Sequence, residues 1–387
     1  MNELTANWNY PSHISVGAGR VKEVPMACKY LRMQSPLLIT DPGLAELSMV
    51  REAVARCNEA NLRCGLFSNI QSNPTGQNVR DGVAAYRAGG HDGVIAFGGG
   101  SALDAAKAIA LMVGQERPLW DFEDIGDNWT RVKASGIAAI VAVPTTAGTG
   151  SEVGRAAVIT DTEQQIKRII FHPSLLPGRV ILDPELTLAL PAKITAATGM
   201  DALSHNLEAF CCPFYHPMAD GIAMEGIRLV KDYLPRAVEN GSNLEARTQM
   251  LVASLMGATA FQKGLGGMHA IAHSLGALYG AHHGLLNAIL MPYIVKANQA
   301  LIEARIERLG HFLLLKHTGF DGFLDWILAM RSHLGIPHDL LSIDIDATQA
   351  ARIGKMAAVD SAAGGNPIAF NAEEYAKIFT RAVNGTL

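Results

Sequence analysis

Four of the 13 histidines lie close together, in the segment MHAIAHSLGALYGAHHG. His269 and His273 are four residues apart, so on a helix they share one face. His282 and His283 follow in the next turn or loop. Any one of these side chains could be a hydrogen-bonded helix residue, but imidazoles at this density are also typical of a metal site.

A second pair of metal-ligating residue types occurs upstream, in TGMDALSHNLEAF. Asp201 and His205 are again four residues apart, which lets a carboxylate and an imidazole chelate one cation from a single helix face. A third and a fourth nitrogen from a neighbouring helix would complete the coordination. Such a donor set suits Zn²⁺ or Fe²⁺ better than Ca²⁺ or Mg²⁺. The sequence therefore predicts a transition-metal site.

A run of three glycines, at 98–100, follows the apolar stretch GVIAF and precedes Ser101, a candidate cap for a helix that extends to about Met112. Glycine lets a backbone approach a phosphate closely, and a helix N-terminus presents free N–H groups and the positive end of its dipole. The spacing departs from the dinucleotide fingerprint, because Leu103 stands where its third glycine would be, and the Walker-type lysine is missing. The turn is therefore either a pyrophosphate cradle or a tight strand-to-helix connection.

Two further features could contact a nucleotide. Asp41 directly follows the apolar run PLLIT, and an acid at the carboxyl end of a strand can bind a ribose 2′-hydroxyl and repel a 2′-phosphate. This favours NAD over NADP, although Asp41-Pro42-Gly43 is also an ordinary turn. The other feature, PTTAGTGSEVG at 144–154, offers many small donors, which can line a nucleotide or simply form a loop.

These motifs belong to an alternation of strands and helices that extends to about residue 190. The near-continuous apolar runs at 36–40, 93–97, 137–143 and 180–183 are typical of strands buried on both faces. Between the first two runs, apolar residues recur every three or four positions, as in helices. This order predicts an α/β domain with a mostly parallel sheet and right-handed crossovers.

Beyond Asp183 the pattern changes, because Pro184 and Pro191 interrupt it and β-branched runs become rare. Helical spacing recurs in AATGMDALSHNLEAF, GIAMEGIRLVKDYL, ARTQMLVASLMGATAF and LIEARIERLGHFLLL. We therefore expect an α/β dinucleotide-binding domain at 1–190 and an all-helical, metal-binding domain at 191–387. Without a flexible linker between them, the two should abut and hold the active site in the cleft between.

Composition excludes several classes of protein. The chain has 387 residues, a formal net charge of −4 and 18% charged residues, which argues against disorder and against a basic surface for nucleic acid. Its longest strongly apolar stretch, 137–143, is far shorter than the roughly 20 residues that cross a bilayer, so no membrane span is expected. The N-terminal MNELTANWNYPSH lacks a basic and apolar leader, and the five cysteines show no CxxC spacing. Both features predict a cytoplasmic enzyme with reduced thiols.

The motifs GGGSALDAAK, PTTAGTGSEV, GMDALSH and HAIAHSLGALYGAHHG together resemble those of the iron-dependent (group III) alcohol dehydrogenases, relatives of lactaldehyde reductase and 1,3-propanediol dehydrogenase. The resemblance covers nearly the whole chain, from YPSHISVGAGRVKEV to GGNP near residue 366. The family's architecture is similar to the one expected above. Two positions depart from the family pattern: Ser274 replaces a frequent proline, and Gly154 replaces a frequent threonine.

The resemblance implies a specific set of metal ligands, which are Asp201, His205, His269 and His283. It places His273 near the metal without making it a ligand, so His273 becomes the candidate for the catalytic proton relay. The implied metal is Fe²⁺, with Zn²⁺ as the alternative, and the implied nucleotide is NAD.

The resemblance also implies a set of nucleotide-binding residues. They are Asp41, Gly98, Gly99, Gly100, Ser101, Asp104, Thr145, Thr146, Ser151 and Lys167. Within this set, the turn at 98–101 would meet the pyrophosphate, Lys167 would contact the nicotinamide ribose, and Asp41 matches the acid that favours NAD.

The expected function is the interconversion of a primary alcohol and its aldehyde with NAD(H) at a divalent metal. The metal would act as a Lewis acid, and hydride would pass to or from the nicotinamide C4. Arg155, just after the 144–154 loop, and Lys263, six residues before His269, suggest a substrate with a remote acidic group, such as succinic semialdehyde. The alternative is that Arg155 meets cofactor phosphate or a nearby acid and that Lys263 points to water.

Two other functions are compatible with the motifs. One is an NAD- and zinc-dependent lyase of the dehydroquinate-synthase type, against which GMDALSH and GTGSEV argue. The other is a metal-dependent hydrolase, or a binding module without NAD. The expected partners are a small alcohol or aldehyde and a second copy of the chain, in a homodimer or larger oligomer that a strand around 13–17 could join. The natural substrate, the metal loaded in the cell and the direction of the reaction stay open.

Overall fold

The computed structural model describes residues 12–387, which divide into two units. The sheet unit comprises 12–146 and 150–189, and the helical unit comprises 147–149 and 190–387. The expected absence of a leader concerns mainly residues 1–11, which lie outside the described residues.

The sheet unit contains the strands and five helices. Its strands are β1 His13–Val16, β2 Pro36–Ile39, β3 Gly65–Phe67, β4 Gly93–Gly98, β5 Ala139–Pro144, β6 Ala156–Asp161, β7 Ile166–Phe171 and β8 Arg179–Leu182. Its helices are α1 Val24–Tyr30, α2 Pro42–Ala45, α3 Ser48–Glu59, α4 Gly76–Ala88 and α5 Gly100–Met112. Six strands form a parallel sheet in the order β1-β8-β5-β4-β2-β3, and β6 pairs with β7 in an antiparallel hairpin. The predicted α/β unit with a mostly parallel sheet is confirmed.

Burial explains which strands the sequence pattern reveals. Every residue of β2 and β4 is buried, and both strands are the continuous apolar runs expected of a sheet covered on both faces. Strand β3 has only three residues, and the β6–β7 hairpin is half-exposed, so neither carries a long apolar run. The pattern consequently missed all three.

Two local predictions in the sheet unit need correction. The helical pattern at 43–60 is broken into α2 and α3, because the backbone at Leu47 is extended. Helix α5 begins at Gly100 with Gly99 as its N-cap, so Ser101 is not the cap. The Ser101 hydroxyl instead donates a hydrogen bond to the carbonyl of Ser72.

The helical unit is built from nine helices. They are α6 Ala192–Cys211, α7 Pro217–Glu239, α8 Leu244–Ala260, α9 Gly267–Tyr279, α10 His283–Ala297, α11 Gln299–Phe312, α12 Phe320–His333, α13 Ala350–Val359 and α14 Ala372–Asn384. No strand occurs in 190–387, as the sequence pattern predicts. Its core includes Met200, Leu203 and Leu207 of α6, together with Met268 of α9 and Leu286 of α10. The same three helices carry the predicted metal ligands.

Within 12–387, no individual helix combines the length and the apolar character needed to span a bilayer. The consecutive helices α10 and α11 meet those criteria only when they are counted together, and they are bent by 109° where they join.

Candidate metal centre

The four predicted metal ligands converge inside the helical unit. Asp201, His205, His269 and His283 each offer one ligand atom, and these atoms all lie within 4.8 Å of one another. Asp201, His205 and His269 are almost completely buried, and His283 is partly exposed. Within 12–387, no other group of three or more such side chains comes together in this way.

Close packing of helices brings the ligands together. Asp201 and His205 occupy successive turns of α6, while His283 is the first residue of α10. The next residue is Gly284, and a Cβ built there would lie 2.5 Å from the carbonyl oxygen of Ala197 and 3.0 Å from the Cβ of Asp201. Only glycine therefore lets the start of α10 approach α6 closely enough to place His283 beside Asp201.

Hydrogen bonds hold two of the imidazoles with one nitrogen directed toward the cluster. Nδ1 of His205 lies 3.2 Å from the carbonyl oxygen of Gly148, and Nδ1 of His269 lies 2.7 Å from Oε2 of Glu208. Because both partners can only accept, Nδ1 carries the proton in each ring. The lone pair is then on Nε2, through which each ring can coordinate a metal.

Glu208 is a positioning residue that the sequence reasoning missed. Its buried carboxylate accepts hydrogen bonds from the backbone N–H groups of Gly266, at 2.8 Å, and Met268, at 2.7 Å, as well as from His269. It therefore holds both the first turn of α9 and the His269 ring. Its place three residues after His205, on the same face of α6, was the available signal.

Asn287 lies directly among the ligands and was also missed. Its amide nitrogen is 2.8 Å from Oδ1 of Asp201, 3.1 Å from Nε2 of His269 and 3.2 Å from Nε2 of His283. One NH₂ group cannot fully satisfy three converging acceptors, and the amide oxygen of Asn287 is buried without a hydrogen-bond partner. This excess of lone pairs around one point is the environment that a divalent cation neutralises. The residues therefore fit a bound metal.

Burial and charge act differently on the two buried imidazoles. Burial lowers the pKa of His205 to about 4, which outweighs the opposing effect of Asp201. At His269 burial also lowers the pKa, but the Glu208 carboxylate more than reverses this, so its pKa is raised. His205 is thus neutral, as metal ligation requires.

His273 lies beside the cluster without joining it. Its Nδ1 is 3.1 Å from Oδ2 and 3.2 Å from Oδ1 of Asp360, and its ring stacks on that of His283 at a centroid distance of 5.5 Å. Asp360 orients the ring so that Nε2 stays available for proton transfer. Sequence reasoning did not identify Asp360, because it is 87 residues from His273.

The predicted phosphate turn in the sheet unit has the geometry of a cradle. Gly98 ends β4 with a φ of +146°, and a Cβ there would lie 2.8 Å from the Cβ of Ala102. Gly99 and Gly100 open helix α5. The hydroxyl of Thr40, fully buried at the end of the neighbouring strand β2, has no hydrogen-bond partner, and its oxygen is 3.6 Å from the Cβ built at Gly98. An open glycine turn next to an unpaired hydroxyl fits a nucleotide phosphate.

Asp104 and Ser151 have internal partners instead of facing a ligand. The Ser151 hydroxyl donates to Oδ1 of Asp104 at 2.5 Å, and the N–H of Val158 donates to Oδ2 at 3.1 Å. Lys107, also buried, donates to the carbonyl of Ser151 at 3.0 Å and lies 3.4 Å from Oδ1 of Asp104. These contacts bind the end of the 144–154 loop to α5. The geometry favours a supporting role for Asp104 and Ser151.

The remaining predicted nucleotide residues lie on the same unit. Asp41 follows β2, and its Oδ1 accepts from the N–H of Leu44 at 3.0 Å, so it caps α2. Thr145 is buried and its N–H donates to the carbonyl of Gly98, while Thr146 packs near Gly99. Lys167 is half-buried on β7, opposite Thr160.

The structure argues against the predicted substrate role of Lys263. Its side chain has no exposed surface, its ammonium lies 2.5 Å from Oδ1 of Asp220, and it also donates to the carbonyl of Phe210. The solvent-exposed alternative is therefore wrong, and the ion pair with Asp220 already uses the charge that the substrate role would need. Arg155 is half-buried in the sheet unit, where its guanidinium lies 5.5 Å from the ring of Phe171.

One more buried acid follows the glycines of the 144–154 loop. Glu152 is 2% exposed, and burial raises its pKa to about 7. The Lys107 ammonium opposes this shift. The motif alone did not predict that this loop contains a carboxyl group with a raised pKa.

Comparison with known proteins agrees with this geometry. A model of the family "Iron-containing alcohol dehydrogenase" matches residues 11–184, and a model of "Fe-containing alcohol dehydrogenase family, C-terminal" matches 195–383. The chain is 36% identical over 383 residues to 4-hydroxybutyrate dehydrogenase of Cupriavidus necator, covering 97% of this chain and 99% of that protein. The chain belongs to the iron-containing alcohol dehydrogenase family.

Solved structures support the same assignment. The structure of a 1,3-propanediol oxidoreductase superposes with a TM-score of 0.93 at 34% identity, covering 98% of this chain and 100% of that one. Sulfoacetaldehyde reductase from Bifidobacterium kashiwanohense, solved in complex with NAD⁺, gives a TM-score of 0.87 at 26% identity, covering 98% of this chain and 99% of that one. The predicted family is confirmed, and neither the lyase nor the hydrolase or binding module is favoured.

Replacing Glu208 with glutamine should weaken metal binding by about 10- to 100-fold, as is usual when the hydrogen-bond partner of a ligand histidine is removed. The amide keeps the size of the side chain but loses the charge that fixes His269. The measurement is the dissociation constant for Zn²⁺, by competition with a chromophoric chelator. Glu303→Gln, at an exposed position on α11, is the matched control. Equal affinity in both variants would show that Glu208 does not position the ligand.

Proposed function

We propose that this enzyme interconverts a primary alcohol and its aldehyde with NAD(H), at a divalent metal held by Asp201, His205, His269 and His283. The observation that carries the proposal is the convergence of these four ligand atoms within 4.8 Å in a member of the iron-containing alcohol dehydrogenase family. The family name supports Fe²⁺ as the working metal. Zn²⁺ is the alternative, because it binds such donors more tightly.

The chain's own residues supply orientation and proton transfer. When bound, the metal polarises the substrate oxygen as a Lewis acid and NAD(H) accepts or donates the hydride. His273 takes the hydroxyl proton at Nε2 during alcohol oxidation and returns it during aldehyde reduction. Asp360 accepts a hydrogen bond from Nδ1 of that ring and so fixes the orientation in which Nε2 exchanges the proton.

The nucleotide lies on the sheet unit in this proposal. Gly98, Gly99 and Gly100 let the backbone approach the pyrophosphate at the start of α5. Thr145, Thr146 and Lys167 extend the contact, and Asp104 and Ser151 support the loop from behind. Asp41, at the carboxyl end of β2, favours NAD, because its charge repels a 2′-phosphate.

The finer substrate proposal is an aldehyde with a remote acidic group. Two relatives are named for such compounds, since 4-hydroxybutyrate and sulfoacetaldehyde each carry an anion away from the reacting carbon. With Lys263 paired to Asp220, Arg155 is the remaining predicted contact for that anion. Its guanidinium can hold a carboxylate through two parallel hydrogen bonds.

We further propose a cytoplasmic homodimer. Strand β1 ends the order of the parallel sheet and, within the described chain, pairs only with β8. Its outer edge is therefore suited to pairing across a two-fold axis. The mass in solution, measured by light scattering against 41.2 kDa per chain, tests this proposal.

His269→Ala should abolish both turnover and metal retention, because three ligands leave the coordination incomplete. The assay follows NADH formation from a panel of primary alcohols, with elemental analysis of the same sample. His317→Ala, at an exposed histidine outside the cluster, is the control. Metal that stays at one equivalent in His269→Ala would overturn the ligand assignment, and wild-type protein that forms no NADH from any alcohol would overturn the function.

Replacing Arg155 with glutamine should lower the preference for succinic semialdehyde over butyraldehyde by about 10- to 150-fold, the equivalent of one charge-assisted contact of roughly 1.5–3 kcal/mol. The measurement is kcat/KM for both aldehydes, which differ mainly in the terminal carboxylate. Arg63→Gln, at an exposed arginine of the sheet unit, is the control. An unchanged ratio would remove Arg155 from the substrate site.

A further inference from the structure

The GGNP segment at 364–367 packs against the loop that precedes α9 in the helical unit. A Cβ built at Gly365 would lie 2.1 Å from the carbonyl oxygen of Leu265, so only glycine lets the two stretches of chain approach this closely. The next residue, Asn366, is almost completely buried. It is neither a metal ligand nor a proton-transfer residue in the proposed chemistry, so the reason for a buried amide at this position has to be found in its contacts.

Asn366 shares the capping of α9 with Glu208. The N–H of Gly267 donates to Oδ1 of Asn366 at 2.9 Å, and the N–H groups on either side, from Gly266 and Met268, donate to the Glu208 carboxylate. Such N–H groups have no partner within the helix that they begin. The two side chains therefore satisfy three consecutive backbone donors at the start of α9.

Asn298 fixes the orientation of the Asn366 amide. Nδ2 of Asn366 donates to Oδ1 of Asn298 at 2.9 Å and to the carbonyl of Ile368 at 2.7 Å, while Nδ2 of Asn298 donates to Oδ1 of Asn366 at 3.0 Å. The N–H of Gly267 can only donate and the carbonyl of Ile368 can only accept, so these two partners determine which end of the amide is the oxygen. Every polar group of the Asn366 side chain is thereby paired in a buried network, which holds it rigidly.

The same stretch of chain also holds His273. Asp360 lies six residues before Asn366, and its Oδ1 accepts from the N–H of Ala362 at 2.8 Å. The Asp360 carboxylate is also the hydrogen-bond partner of Nδ1 of His273. The stretch therefore contacts α9 at two points, at Gly267 through Asn366 and at His273 through Asp360. A displacement of Asn366 would disturb the start of the helix that carries both functional histidines.

We propose that Asn366 is a positioning residue for the metal centre. By accepting from Gly267 it fixes the first turn of α9, and the ligand His269 belongs to that turn. Groups that orient a ligand strongly affect metal affinity, because coordination tolerates only small displacements of the ligand atom. This inference rests on the proposed metal site and adds to it a residue that acts through the backbone of α9.

The test is the dissociation constant for Zn²⁺ in Asn366→Ala, measured by chelator competition well below the melting temperature of the variant. The expected affinity is about 10-fold lower than in the wild type, with an unchanged far-UV circular dichroism spectrum, because the uncapped turn no longer holds His269. Asn366→Ser, which removes the same acceptor but keeps a small polar side chain, should behave alike. Asn384→Ala, at an exposed position at the end of α14, is the matched control and should bind Zn²⁺ as the wild type does.

A double-mutant cycle with Glu208 distinguishes positioning from a general loss of stability. Asn366 and Glu208 cap the same turn, so a variant that lacks both should lose less affinity for Zn²⁺ than the product of the two single losses. The cycle compares the wild type, Glu208→Gln, Asn366→Ala and the double variant. A residue that only stabilised the fold would lower the melting temperature without changing the affinity of the folded protein.

The outcomes separate this inference from the proposed metal centre. Wild-type affinity for Zn²⁺ in folded Asn366→Ala or Asn366→Ser, or losses that simply multiply in the cycle, would overturn the role of Asn366 while the metal centre stands. A wild-type protein that binds no Zn²⁺ would overturn the metal centre itself, and this inference with it.

Discussion

The contact between Glu208 and His269 is the interaction on which the metal centre depends. A carboxylate this deeply buried is costly unless its oxygens are satisfied, and here they accept from the N–H groups of Gly266 and Met268 and from the imidazole. The same oxygens therefore cap the N-terminus of α9 and determine the tautomer of His269. Without this charge, the first turn of α9 would lose its cap and the His269 ring its fixed orientation.

Close packing of the helices positions the other ligands relative to His269. Gly284 lets α10 approach α6, and Gly257 does the same for α8, where an added Cβ would lie 3.0 Å from the Cβ of His205. The apolar cores of these helices fix their spacing, and three of the acceptors that point inward share the amide group of Asn287. A site with converging lone pairs and few donors is stabilised by a cation, so metal binding and the stability of this unit should be coupled.

Local patterns in the sequence predicted those features of the protein that depend on residues close together in the chain. Continuous apolar runs indicated β2, β4, β5 and β8, and residues four apart indicated the ligand pair on α6 and the histidine pair on α9, of which only His269 is a ligand. Residues that act through long-range contacts could not be predicted from the sequence. Asp360 contacts His273 across 87 positions, and Asn287 contacts Asp201 across 86. The ion pair of Lys263 was not predicted for the same reason, because its partner Asp220 is 43 residues away in the sequence.

The most direct test of the metal centre is a Co²⁺ titration of metal-free wild-type protein, followed by visible absorption and by calorimetric melting on the same samples. Four nitrogen and oxygen donors in a buried site predict visible bands that saturate at one Co²⁺ per chain, together with a melting temperature that rises until the same equivalence point. Bands that never saturate, or a melting temperature that Co²⁺ leaves unchanged, would contradict a cation held among Asp201, His205, His269 and His283.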